Sequence, residues 1–162
     1  MSLAIPYILD AAAETSPGAT VEVAGHNLTV KVLNHRSIVG AERYLHEGYR
    51  PGDHIPLPSM TSVGQVIDVL AATRVGLILS DGAVPALSHS DAPHMDRDVA
   101  ESRIWSEIPA AVIGSRVLTH GDVIRAVDTA GPEGLAPLGP VLAVLRSIRT
   151  VLTQDTSRPL GL

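Results

Sequence analysis

The sequence predicts an α+β fold, or a small open α/β sheet, and three observations predict it. Aliphatic residues alternate with polar ones early in the chain. Helical spacing then recurs between short apolar runs, and a sustained helical period closes the chain. The expected architecture is an N-terminal β-hairpin, a central mixed sheet packed by helices, and a long C-terminal helix. At 162 residues the chain has the size of one domain, expected over residues 1–154, with 155–162 as a tail. With 45% hydrophobic and 18% charged residues it is globular in composition. Phe is absent and the aromatic fraction is 2%, so Val, Leu, Ile and Ala must fill the core.

Residues 6–14 predict a short helix, because Pro6 suits a first turn and Ala11, Ala12 and Ala13 favour helix. Residues 20–33 alternate, with Val21, Val23, Leu28, Val30 and Val32 on one face and Glu22, Thr29 and Lys31 on the other. With Gly25-His26-Asn27 between the halves, that pattern predicts a hairpin with one wet face. A helix follows over 37–47, stopped by Gly48. Arg50-Pro51-Gly52-Asp53 with Pro56 and Pro58 then gives a turn-rich connection. Residues 62–73 predict a third helix, opened by Ser62 and Gln65 at capping-box spacing. The apolar run 75–79 predicts a buried strand, Asp81-Gly82 a tight turn, and 83–87 an edge strand, since Pro85 lacks a donor. Further on, a helix is expected over 99–107, strands over 110–113 and 116–118, and a helix over 122–129. Residues 131–140 read as a loop and 141–154 as the longest helix.

Charge and composition exclude several functions. The net charge is −5, and the 12 Lys and Arg residues are scattered without interleaved aromatics, so no nucleic-acid partner is expected. Cys is absent, which removes disulfides, thiol catalysis and thiolate metal sites. Residues 1–6 lack the basic start and apolar run of a signal peptide, and no apolar run is long enough to span a bilayer. A cytoplasmic protein without a membrane partner is the expectation.

Two phrases stand out: Ser88-His89-Ser90-Asp91 and Thr119-His120-Gly121-Asp122. A hydroxyl followed three residues later by an acid is the spacing that caps a helix. Thr119 to Asp122 suits that role, because Val123, Ile124 and Val127 continue at helical spacing. Ser88 to Asp91 suits it less, because Pro93 would fall inside the helix being capped.

Residues 62–91 run helix, strand, Asp-Gly turn, strand, Ser-x-x-Asp. Residues 99–127 run helix, two short strands, Thr-x-x-Asp, then Val-Ile-Arg-Ala-Val. Each stretch resembles half of a CBS domain, from a family of modules that bind adenosine nucleotides in pairs. The resemblance implies Ser88, Asp91, Thr119 and Asp122 as ligand contacts, with the carboxylates on the ribose. The interval from Asp91 to Asp122 is shorter than the family's repeat, and the N-terminal third has no counterpart in it.

His89, Asp91, His94 and Asp96, with Asp98 beside them, crowd imidazole and carboxylate into one loop. Such donors suit a divalent metal, although the spacing follows no named signature. His35, His46 and His54 stand near Glu42, Glu47 and Asp53 in sequence and offer a general base. Leu138, Val141, Leu145, Ile148 and Leu152 recur at three and four residues, a seam for packing on the sheet or for self-association. The leading reading is a non-catalytic binding or assembly module acting in a homo-oligomer or larger complex. Beside it stand a metal-dependent hydrolase using His89, Asp91, His94 and Asp96, and a CBS-like module with a small nucleotide ligand.

Overall fold

A computed structural model describes residues 5–82, 107–129 and 136–156. Helix α1 (Ile5–Thr15) leads into an antiparallel hairpin of β1 (Thr20–Val23) and β2 (His26–Thr29), and helix α2 (Val30–His46) follows directly. Strand β3 (His54–Pro56), helix α3 (Val63–Val75) and strand β4 (Ile78–Ser80) come next. Then come β5 (Pro109–Ile113), β6 (Arg116–Thr119), α4 (His120–Thr129), a 3-10 turn (Ala136–Leu138) and α5 (Gly139–Thr156). The central sheet has the order β3-β4-β5-β6. The first three strands are parallel and β6 returns antiparallel, so the fold is α+β with a small mixed sheet and a separate hairpin.

The hairpin forms as the alternation predicts, with Val21 opposite Leu28 and both Val21 and Val23 buried. Its turn is Ala24-Gly25, both at positive φ, which matches the twist of the flanking strands. His26 and Asn27 therefore belong to β2 and not to the turn. Val30 and Val32 are not strand residues either. Thr29 is extended, and its Oγ1 accepts the Val32 amide at 3.2 Å, so the helix begins seven residues before position 37. The orphan amides of Val30 and Lys31 donate to the carbonyls of Ala19 and Pro17 at 2.8 and 3.0 Å. Burial of Val30, Leu33, Ser37, Gly40 and Ala41 then fixes the helical period.

The unit β3-α3-β4 is closed by two turns that touch. Asp53 donates its amide to the Arg50 carbonyl at 3.0 Å, and its Oδ2 accepts the Arg50 amide at 2.8 Å, which locks Pro51-Gly52 into a tight turn. Gly76 ends α3 in the left-handed conformation (φ 88°), with the Pro51 ring 3.3 Å from where a Cβ would stand. That cap takes Val75 into the helix, so the apolar run predicted as strand over 75–79 yields a shorter one. At the start of α3, Ser62 Oγ accepts the Gln65 amide at 3.2 Å. Gln65 Oε1 in turn accepts from the Thr61 amide at 2.9 Å, so the expected capping box is displaced by one residue.

The core is aliphatic throughout and continuous from α1 to α5. Leu138, Val141, Leu145 and Ile148 are all buried in it and Leu152 is half-buried against it, so the heptad-like seam serves this chain's own packing. Arg149 grips Asp128 through Nε at 2.9 Å and Nη2 at 3.0 Å, tying α5 to α4. Helix α5 runs to Thr156, past the expected boundary at 154. The predicted strand over 83–87, residues 99–106 of the predicted helix and positions 157–162 of the tail lie outside the described residues. No helix among the described residues is long and apolar enough to cross a membrane.

Candidate functional site

The phrase Thr119-His120-Gly121-Asp122 is a helix start. Asp122 accepts the Thr119 amide on Oδ2 at 2.9 Å, and Thr119 Oγ1 accepts the Asp122 amide at 3.1 Å, a closed capping box. Oδ1 of Asp122 is bonded to Arg125. Both carboxylate oxygens are therefore occupied by local donors. The Thr119 amide holds the Asp122 carboxyl below the usual carboxylate range, against a smaller opposing effect of burial and with help from Arg125.

His120 is fully buried between β6 and α4. Its Nδ1 accepts the Ile5 amide at 3.4 Å, so the first turn of α1 rests on this imidazole. Burial pushes the ring down to about 4, and it is neutral at physiological pH. His120 holds helices α1 and α4 together. Ser88, His89, Asp91, His94, Asp96 and Asp98 lie outside the described residues, so their convergence with Thr119 or Asp122 is not described. Among the described residues no group of three or more His, Asp or Glu side chains is placed to hold a metal ion. His35 and His46 are exposed on α2 and His54 lies on β3.

A concavity lies elsewhere, between α2 and α3, with a volume of about 440 Å³. Arg36, Val39 and Arg43 form one wall, and Gly64, Ile67 and Asp68 the other. Gly40 lies at its base, where α2 and α3 cross against Ala71. Arg43 bridges the walls, its Nη2 2.9 Å from Asp68 Oδ1 in a solvent-exposed pair. Behind the groove, Arg74 of α3 binds three partners. Its Nε donates to Ser37 Oγ at 2.8 Å, and its Nη2 to Asp10 Oδ1 at 2.9 Å and to Asn34 Oδ1. Those bonds hold α1, α2 and α3 in one arrangement.

The outer side of α2 is unusual for its exposed aliphatics: Val32, Ile38, Val39 and Leu45. At its C-terminal end Tyr44 and Tyr49 meet edge to face, centroids 5.4 Å apart, and the Arg43 guanidinium stands 5.9 Å from the Tyr44 ring. Sequence reasoning missed this face because it divided Val32 from Val39, giving one to a strand and the other to a helix. The signal was present in the seven-residue spacings Val32 to Val39 and Ile38 to Leu45, which place each pair on one side of a helix.

No protein-family model matches the chain, and no curated protein matches it. Among solved structures it is similar to VinN, at 16% identity and a TM-score of 0.56, over 80% of this chain and 49% of that one. It is also matched to the N-terminal domain of FACL13 from Mycobacterium tuberculosis, at 21% identity and a TM-score of 0.43, over 48% of this chain and 20% of that one. An inhibitor-bound structure of that domain gives 21% identity and a TM-score of 0.44, over 93% and 36%. The chain thus spans about half the length of VinN and less of the others, and what it shares with VinN is the fold.

Proposed function

We propose that this protein is a non-catalytic assembly module, which joins a larger complex through the outer face of α2. One observation carries the reading. Among the described residues, Val32, Ile38, Val39 and Leu45 are 42%, 37%, 49% and 55% exposed along one helix, and Val117 of β6 is the other large aliphatic left so open. Single exposed aliphatics are ordinary, but on α2 they recur at seven-residue spacing in two rows, Val32 with Val39 and Ile38 with Leu45, away from the buried side.

A photo-reactive phenylalanine analogue placed at position 39, with a control at Glu22 on the hairpin, tests the proposal in cells. Irradiation is expected to yield an adduct of discrete mass from position 39 and none from position 22. Absence of any adduct at 39, or equal labelling at both positions, removes the α2 face as an assembly surface. Mass distinguishes the occupant: a doubled chain mass identifies a second copy, and any other mass a different protein.

A further inference from the structure

The outer face of α2 carries a second pattern. Val32, Arg36, Val39 and Arg43 follow at intervals of four, three and four residues, which aligns them in one line along the helix. Aliphatic and guanidinium groups alternate along that line, and Arg36, Val39 and Arg43 border the groove against α3. Gly40 lies where α2 and α3 pack closely against Ala71, and the buried Ile67 lines the groove beside it. Arg36 forms no ion pair among the described residues, whereas Arg43 shares its charge with Asp68.

The charge of this helix runs against that of the chain. Helix α2 contains Lys31, Arg36 and Arg43 against a single acid, Glu42, while the whole protein carries −5. Two copies meeting face to face about a twofold axis beside Val39 would set Arg36 of each against Arg43 of the other. Like charges so placed oppose association. A segment with aliphatic and carboxylate side chains at the same three-and-four spacing meets each position of the line with its complement. The long stems of the arginines extend the apolar surface that such a segment would cover.

We infer that the α2 face receives an acidic amphipathic helix of another protein, with aliphatic residues over Val32 and Val39 and carboxylates on Arg36 and Arg43. The inference rests on the assembly role proposed above and gives the chemistry of the partner.

The test uses the full chain labelled with nitrogen-15 and three synthetic peptides of equal length. One carries Leu at helical spacing flanked by Glu, the second the same Leu positions flanked by Lys, and the third scrambles the Glu peptide. The Glu peptide is expected to shift amides of α2 and the first turn of α3, and to bind about tenfold more weakly to Arg36→Glu. Higher salt should weaken it further. Circular dichroism confirms that Arg36→Glu is folded, and Arg36→Ala serves as a milder variant. Equal binding by the Lys or scrambled peptide, shifts confined to other elements, or unchanged affinity in both variants overturns the inference. So does a position-39 adduct of doubled chain mass. If the adduct is of another mass and the Glu peptide does not bind, the acidic helix is wrong and the assembly role stands. If no adduct forms at 39, the assembly role itself is lost.

Discussion

Gly40 of α2 lies so close to Ala71 of α3 that a Cβ added to it would stand 2.8 Å from the Ala71 Cβ. No flexible side chain can yield there, so the helices themselves must separate. Gly40→Ala should destabilise the fold by about 1–2 kcal/mol, because overpacking outweighs the helix propensity gained. Urea unfolding followed by circular dichroism measures it. Adding Ala71→Gly should restore most of the loss, and a Gly40→Ala chain as stable as the parent would show that the crossing is loose.

Arg74 should matter more than any of its partners alone. Its side chain is 12% exposed, whereas that of Asp10 is 47% exposed. Arg74→Met keeps the apolar stem and removes three hydrogen bonds, for an expected loss of about 2 kcal/mol. Asp10→Asn should cost less than about 1 kcal/mol, as an exposed pair does. Equal losses in the two variants would place the strength in the ion pair and not in the three-helix junction.

His120 makes stability depend on pH in a defined window. Its folded value, lowered by burial from 6.5 to about 4, means that the unfolded chain binds a proton first as pH falls. Stability should therefore be full above 6.5, decline by about 3 kcal/mol down to about 4, and flatten in this respect below it. His120→Gln leaves an acceptor near the Ile5 amide and has no proton to gain. Its unfolding free energy should lose the slope between 6.5 and 4, and a slope that persists must come from another group.

Asp122 acts in a different window. Its folded value is lowered by the Thr119 amide, so its contribution is present above the ordinary carboxylate value of 3.8 and is lost as pH falls through the lower folded one. Asp122→Ala should cost about 1 kcal/mol at neutral pH, the usual worth of a helix cap. The deficit relative to the parent should shrink as pH falls below 3.8. A deficit that stays constant into acid would mean that the carboxylate charge contributes nothing.

The amino-acid pattern made much of the architecture legible for local reasons. Val21, Val23 and Leu28 alternate, Pro51-Gly52 can only turn, and Thr119 with Asp122 carries its own cap, so each needs few distant contacts to be recognised. The start of α2 was hidden because Val30 and Val32 continue the alternation of the strand before them. The deciding groups are Thr29 Oγ1 and the carbonyls of Pro17 and Ala19, and the latter are brought near only by the folded hairpin. The α2 face depended on the same boundary, since Val32 and Val39 share a side only once residue 30 is helical. The role of His120 depended on Ile5, a contact across a separation of 115 in the sequence.

The aliphatic core has a spectroscopic consequence. Apart from histidines, the aromatic rings among the described residues are Tyr7, Tyr44 and Tyr49, and Trp105 lies outside those residues. Among the described residues the buried core therefore holds no Tyr or Trp ring. The coupled Tyr44 and Tyr49 rings, with Arg43 beside them, stand at one end of α2. Their tyrosine bands would respond to a helix arriving on Arg43, an optical reporter of docking supplied by the chain itself.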